Sequence, residues 1–160
     1  MRRSDREVTE FKDIVKIMEK CDVCRIALNG HGYPYILPLN FGMKVENDTV
    51  TLYFHGANEG TKYHFMKEDN RASFEMDCGH RLVMEKEQGN CTMVYESVIG
   101  QGRLELVSED EKYDALCILM DHYHQAGFPF NKAVMPSTTV FKLVVESMTG
   151  KRRGLPGKKE

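Results

Sequence analysis

The stretch "TVTLYFHGANEGTKYHF" (residues 49–65) joins a strand pattern to a helix pattern through a glycine loop. Its first half is rich in β-branched and aromatic residues, which is typical of a strand. Gly56 and Gly60 interrupt that pattern before the helical residues begin. A glycine loop that enters a helix exposes backbone N–H groups, and the helix dipole favours an anion there. Thr61 and Lys62 add a hydroxyl donor and a positive charge, so the loop is either a phosphate site or an ordinary turn.

Strand patterns dominate the chain on both sides of this loop. The predicted strands cover residues 23–28, 33–43, 49–55, 71–78, 81–87, 91–107 and 138–147. The predicted helices lie within residues 5–20, at 61–68 and from 108 to 125. Short turns, rather than crossover helices, separate most of the strands. The order predicts a mainly β protein, a β-barrel of about six antiparallel strands with peripheral helices.

Prolines and glycines mark irregular places in two of these strands. Pro38 cannot donate to a sheet ladder, so residues 33–43 belong at a sheet edge or contain a bulge. The backbone groups freed there, together with the amide of Asn40, can face the edge of a planar heterocycle. Gly100 and Gly102 interrupt the longest strand, which indicates a bulge or the close approach of another group.

Composition places the chain among ordinary single-domain proteins. It has 160 residues, 41% of them apolar and 29% charged, which is enough for one core. The net charge of −2 creates no field that would attract nucleic acid. The sequence shows neither a membrane-spanning apolar run nor the apolar segment of a signal peptide. We therefore expect a cytoplasmic domain that binds neither nucleic acid nor a membrane.

The cysteines raise one alternative function. There are five of them, an odd number that favours reduced thiols. Cys21 and Cys24 have the spacing of zinc ligands, and Cys78 with His80 would complete a set of four. Against this, Cys24 falls within a predicted strand and the chain has no second C-x-x-C. A small zinc-binding interaction module therefore stays an alternative, and no metal site is assigned.

Five motifs occur in a fixed order along the chain. They are "ILPLNF", "YFHGANEGTK", "ASFE", "YESVIGQGRLELV" and "MTGKR". Together they resemble the pyridoxamine 5′-phosphate oxidase-like flavin-nucleotide-binding proteins, and most closely the nitroimidazole-resistance branch. The resemblance runs from about Arg2 to Arg152. It implies one split β-barrel domain over residues 1–152 and a homodimer with FMN at the subunit interface. The basic residues, glycines and proline at the end of the sequence predict a basic, flexible tail at 153–160.

The resemblance also implies cofactor-binding roles for four segments. The edge of the isoalloxazine ring would be lined by Leu37, Pro38, Leu39, Asn40 and Phe41. Beside the flavin would lie His55, Gly56 and Ala57, and its phosphate would be held by Gly60, Thr61 and Lys62. The late-strand motif near the cofactor is matched by Tyr95, Ser97, Val98 and Gly100. A C-terminal element that approaches the site, from its own or the partner chain, is matched by Lys151 and Arg152.

The activity that the resemblance implies is that of an FMN-dependent oxidoreductase. It would use electrons from NAD(P)H to reduce a small substrate, for which a nitroaromatic such as a 5-nitroimidazole is the expected class. His55 is the catalytic candidate, and its alternative role is packing beside the cofactor. A non-catalytic FMN-binding protein for storage or sensing is the alternative function, and a deazaflavin or haem is the alternative cofactor. The chain departs from the branch at Glu96, where Arg is frequent, and at Met148, where Trp is frequent.

Overall fold

The computed structural model describes residues 3–154 as a curved antiparallel sheet with helices packed against it. Its strands are β1 (Glu7–Val8), β2 (Cys24–Leu28), β3 (Tyr35–Leu39), β4 (Gly42–Glu46), β5 (Thr49–Ala57), β6 (Arg71–Glu85), β7 (Asn90–Leu106) and β8 (Thr138–Arg153). Its α-helices are α1 (Phe11–Met18), α2 (Thr61–Glu68) and α3 (Lys112–His122). Single 3-10 turns lie at Ser4–Arg6, Lys86–Gln88 and Met135–Ser137.

The sheet is an open barrel. Its strand order is β3-β2-β6-β7-β8-β5-β4, and β1 pairs with β8. The two ends of this order, β3 and β4, are joined by only Asn40 and Phe41, so the sheet must curl back on itself. The prediction of a mainly β split barrel with peripheral helices is therefore confirmed. The described residues form eight strands rather than the six expected.

The core fills the inside of the curved sheet. Phe54 and Phe141 stack there with ring centroids 5.4 Å apart, and Phe74 is buried with them. Ile17 and Met18 of α1 close the same cluster. Burying each of these side chains contributes about 1.5–3 kcal/mol. Because side chains alternate along a strand, an inward Phe54 places the next residue of β5 on the outer face.

The predicted strand 33–43 is wrong as a single element. It divides into β3 and β4, since Phe41 leaves the ladder and buries its ring in the core. Its N–H donates instead to the hydroxyl of Tyr123, at 3.1 Å. The expected edge position is confirmed, because β3 pairs only with β2 in the described sheet and Pro38 lies opposite Arg25.

The predicted strands at 71–78 and 81–87 form one strand, β6. Gly79 has a φ of +69°, and the register with β7 shifts between Cys78 and Arg81, so the expected turn is a bulge. The bulge expected in the longest strand is confirmed by a register shift between Gln101 and Gly102. A Cβ at Gly102 would lie 2.1 Å from the carbonyl oxygen of Val144, which explains the glycine.

The ends of the chain extend the sheet further than predicted. The first helix lies within 5–20 as expected but begins only at Phe11, because Val8 pairs with Gly150 in the sheet. No helix of the described part has the length and apolarity needed to cross a bilayer. Of the predicted tail, Arg153 belongs to β8, and residues 155–160 lie outside the described residues.

Candidate functional site

The loop between β5 and α2 leaves the first turn of a helix without a cap. Gly60 precedes α2 with φ 144° and ψ 158°, a conformation that suits glycine and few other residues. No side chain accepts a hydrogen bond from this helix start. The N–H of Tyr63 donates to the Gly60 carbonyl at 3.1 Å, which leaves earlier N–H groups to be satisfied from outside the helix. These groups and the positive end of the helix dipole favour an anion.

Lys62 adds a positive charge to this helix start. Its Nζ lies 4.3 Å from the ring centroid of Tyr63, and no carboxylate of the described residues pairs with it. A Cβ at Gly56 would lie 3.0 Å from that Nζ and 3.3 Å from the Tyr63 hydroxyl, so glycine makes room for both. The hydroxyl donates to the Ala57 carbonyl at 2.8 Å and fixes the tyrosine. The loop therefore combines free N–H groups with an unpaired cation.

His55 is the third residue from the end of β5, the strand that leads into this loop, and directly precedes Gly56. It is on β5 opposite Val140 of β8, on the outer face of the barrel. Partial burial of the ring lowers the pKa of His55 below its ordinary value of 6.5. At neutral pH the ring is therefore uncharged, with one N–H donor and one acceptor nitrogen.

The segment 37–41 is anchored from behind by the end of α3. Asn40 Nδ2 donates to the Asp22 carbonyl at 3.2 Å and to the Tyr123 hydroxyl at 3.1 Å. The ring of Phe41 is buried against His122, with centroids 4.2 Å apart. These two side chains therefore hold the bend between β3 and β4.

The rest of this segment leads toward His55. Leu37 and Leu39 are half-buried against the core and Pro38 is exposed. β4 begins at Gly42, which pairs with Tyr53 in antiparallel register. The residues before Gly42 consequently run toward the His55 end of β5. The bend and the loop before α2 thus belong to the same end of the barrel.

A second group of predicted site residues lies where β7 and β8 pair. Ser97 is opposite Lys151 in the ladder, and the Lys151 Nζ lies 5.5 Å from the ring centroid of Tyr95. The neighbouring Lys151 lowers the pKa of the Tyr95 phenol through a hydrogen bond. This group presents a hydroxyl, a phenol and a cation within a short length of ladder.

Arg152 of this group is held by Glu96. Arg152 Nε donates to Glu96 Oε1 at 2.6 Å, and Lys20 Nζ donates to Oε2 at 2.7 Å. Burial opposes the charged carboxylate, but the hydrogen bonds from the two cations outweigh it and keep the pKa of Glu96 below its usual value. Glu96, where the chain departs from the nitroimidazole-resistance pattern, therefore binds Arg152, which is one of the predicted cofactor-binding residues.

Val98 and Gly100 face the core. The side chain of Val98 is fully buried. A Cβ at Gly100 would lie 2.4 Å from two ring carbons of Phe74 and 2.7 Å from the carbonyl oxygen of Ser147. The glycine is accounted for by this packing, without any ligand.

The two groups of site residues lie far apart within one chain. β8 pairs with His55 through Val140 and with Ser97 through Lys151. These two positions are eleven residues apart on β8, which corresponds to about 36 Å of strand length. One chain therefore brings together the bend, His55 and the loop before α2, but it does not bring Tyr95, Ser97, Lys151 and Arg152 to them.

The cysteines do not form the zinc site that their spacing allows. Cys21 and Cys24 are buried, and burial raises the pKa of the Cys24 thiol to about 12. His80 is paired with Asp77 at 2.7 Å. Among residues 3–154, one group of three possible metal ligands has its ligand atoms within 4.8 Å of one another. It consists of two histidines and a glutamate that lie elsewhere. The four-ligand cysteine set is therefore contradicted by the geometry.

Sequence reasoning missed the residues that support the site. Tyr63 follows the predicted Lys62 directly and has a local partner, so its place after the glycine loop could have indicated it. Tyr123 supports the bend from 83 residues away, and Lys20 reaches Glu96 across 76 residues. No local sequence signal predicts such pairs.

A cleft of about 420 Å³ lies between β2, β6 and β7 and includes Arg71 and Glu146 in its lining, but none of the predicted site residues lines it.

Comparison with known proteins shows which proteins the chain is similar to. A family model described as pyridoxamine 5′-phosphate oxidase matches residues 10–152. A solved candidate 5-nitroimidazole antibiotic resistance protein from Bacteroides thetaiotaomicron is 32% identical, with a TM-score of 0.78 over 91% of this chain and 85% of that one. No curated protein sequence matches the chain.

More distant structures share the fold. A flavocytochrome from Azotobacter vinelandii is 20% identical, with a TM-score of 0.77 over all of this chain and 75% of that one. An FAD- and haem-binding protein from Mycobacterium smegmatis is 18% identical, with a TM-score of 0.78 over 96% of this chain and 77% of that one. At these identities the likeness shows the fold alone.

Proposed function

The chain belongs to the pyridoxamine 5′-phosphate oxidase family, and on that premise we propose that it is a flavoprotein whose cofactor is FMN. The observation that carries the proposal is the start of α2, where Gly60, Thr61 and Lys62 combine uncapped N–H groups with an unpaired cation. A phosphate monoester is bound by such donors and such a charge. The flavocytochrome and the FAD- and haem-binding protein indicate that the fold accommodates flavins elsewhere.

A bound phosphate would explain the position of the Lys62 ammonium, which an ordinary turn does not require. Lys62 is half-buried and stays close to Gly56, where any larger side chain would crowd its Nζ. In an ordinary turn the Tyr63 ring would be the contact offsetting the cost of burying part of the Lys62 charge, since no carboxylate of the described residues pairs with it. A bound phosphate would supply the missing partner and also accept from the first N–H groups of α2.

We propose that the reaction is the reduction of a small acceptor with electrons from NAD(P)H, and that a nitroaromatic such as a 5-nitroimidazole is the substrate class. Bound FMN supplies hydride and single-electron transfer. The neutral ring of His55 would donate a hydrogen bond to the substrate through its N–H, or accept a proton at its other nitrogen, at neutral pH. The 32% identity to the Bacteroides protein supports this substrate class, and we place the reaction in the cytoplasm.

A second copy of the chain would complete the site. The group of Tyr95, Ser97 and Lys151 lies about 36 Å of strand length from the His55 group, so it would meet a flavin bound to the partner rather than to its own chain. The outer surface of β6 and β7 carries exposed apolar side chains suited to such an interface, namely Leu82, Met84, Met93 and Ile99. Light scattering should therefore give the mass of a dimer, and a monomeric FMN-bound protein would contradict the shared site.

One observation favours the non-catalytic alternative, an FMN-binding protein for storage or sensing. Arg152 is paired with Glu96, so the second group offers fewer free donors to a substrate than the family pattern suggests. Slow reduction of the bound flavin by NAD(P)H, without any preferred acceptor, would support this alternative.

The first experiment is an absorption spectrum of freshly purified protein, with the released ligand identified by mass. A flavin band near ~450 nm and release of FMN would support the proposal. A protein that is colourless and also fails to bind added FMN would overturn it. Release of a deazaflavin or of haem would keep the fold and replace the cofactor.

A further inference from the structure

Two histidines and a glutamate converge beside α2, outside the site described above. His64 and Glu68 are one turn apart on α2, and His31 lies in the turn between β2 and β3. His64 Nε2 is 3.2 Å from Glu68 Oε1, and His31 Nε2 is 3.2 Å from Glu68 Oε2. One ligand atom from each of the three lies within 4.8 Å of the other two. All three side chains are exposed to solvent.

The spacing suits a small tetrahedral metal ion. Bonds of about 2.0–2.1 Å to nitrogen and oxygen place neighbouring ligand atoms about 3.3–3.4 Å apart in a tetrahedron. His31 Nε2 and His64 Nε2 each lie 3.2 Å from an oxygen of Glu68, but from different oxygens, so a shared ion requires a small movement of at least one of the three exposed side chains. Imidazole and carboxylate are the ligands that zinc uses in three-ligand sites with water in the fourth position.

The neighbouring rings hold the ligands in place before any ion binds. Phe65 packs beside both histidines, with its ring centroid 5.7 Å from that of His31 and 5.9 Å from that of His64. Tyr35 packs on the same ring at 5.4 Å. Each histidine is therefore restricted by aromatic packing on one side, which lowers the entropy lost on coordination.

We propose that His31, His64 and Glu68 bind one Zn²⁺-like divalent ion, which ties the turn between β2 and β3 to α2. The ion adds a cross-link between two segments that are otherwise joined by side-chain packing and by the hydrogen bond from Asn29 Nδ2 to Asp69 Oδ2 at 2.7 Å. Because α2 begins with Thr61 and Lys62, the cross-link also stabilises the helix that presents the proposed phosphate loop. The metal site stands independently of FMN, since none of its ligands belongs to that loop.

The test is a calorimetric titration of the full chain, without an affinity tag, with zinc chloride. The wild type should bind one ion per chain, and His64→Ala and Glu68→Gln should each weaken binding by about 100-fold or more. Ala is a better helix former than His, so His64→Ala should keep α2 intact. His80→Ala is the matched control, because His80 is also an exposed histidine paired with a carboxylate, Asp77, but has no third ligand within the part of the chain that the structure describes.

A thermal melt supplies the second readout. Zinc at about 100 times its Kd should raise the melting temperature of the wild type and of His80→Ala by about 5–10 °C, and that of His64→Ala by less than 1 °C. Equal zinc affinity in wild type and His64→Ala would overturn the proposal. So would a loss of binding in His80→Ala as large as that in Glu68→Gln.

Discussion

Lys62→Ala tests the phosphate loop most directly, because the Lys62 ammonium has no carboxylate partner among the described residues. A charge-assisted hydrogen bond contributes about 1.5–3 kcal/mol. Lys62 is only half-buried, so solvent screening favours the lower part of that range, about 1.5–2 kcal/mol. The Kd for FMN should therefore rise by about 10–30-fold.

The assay is titration of the apoprotein with flavin, followed by the quenching of flavin fluorescence. Riboflavin lacks the phosphate, so its affinity should be the same for wild type and Lys62→Ala. Lys67→Ala is the matched control, since Lys67 is an exposed lysine in the last turn of the same helix. Its effect on FMN affinity should stay within about twofold.

Lys62→Ala also removes the contact between Lys62 and the Tyr63 ring, so the variant should lose some stability as well as FMN affinity. That cation–π contact contributes about 0.5–1 kcal/mol, so the melting temperature of Lys62→Ala should fall by about 1–4 °C. Binding is therefore measured well below the melting range. An FMN affinity equal to that of the wild type would refute the phosphate assignment, and so would equal losses of FMN and riboflavin affinity.

Three further predictions concern stability and thiol reactivity. Gly100→Ala should lower the melting temperature by about 3–10 °C, because the new Cβ would overlap an aromatic ring and a carbonyl oxygen, whereas Gly154→Ala has open space and should change nothing. The folded-state pKa of Glu96 lies below its ordinary value of 4.5, so its stabilisation is present above pH 4.5 and is lost as pH falls through the lowered pKa. Urea unfolding should thus show Glu96→Gln less stable than wild type at neutral pH and the gap closing in acid; a constant gap would contradict the ion pairs. Iodoacetamide should label the exposed Cys91 before the buried Cys24, whose pKa is raised to about 12, and mass spectrometry showing early label on Cys24 would contradict this order.

Glu96 also changes the charge that the second group of site residues can offer. Its carboxylate binds both Lys20 and Arg152, so it links the end of α1 to β8. Lys151 on the neighbouring position has no carboxylate partner among the described residues and stays beside Tyr95. We therefore expect Lys151, rather than Arg152, to be the cation that a ligand meets on this side.

Local patterns predicted the elements well where one face of a strand is buried. The strand predicted at 49–55 lies within β5, and the helix at 61–68 has the predicted bounds. Local patterns failed at 33–43, because Tyr123, whose hydroxyl accepts from the Phe41 N–H outside the ladder, is distant in sequence. They also failed near Val8, where pairing with Gly150 overrides the helical spacing of the first segment.

The sequence by itself determined the strand-rich class, the glycine loop before α2, the edge position of Pro38 and the family, because each depends on neighbouring residues or on motifs in order. Only the tertiary structure decided which residues meet. It separated Lys151 from His55, paired Glu96 with Lys20 across 76 residues, and brought His31 to the helix that carries Glu68. The physical reason is that strand order and register set these distances through long-range pairing, and a local periodicity of two does not encode them.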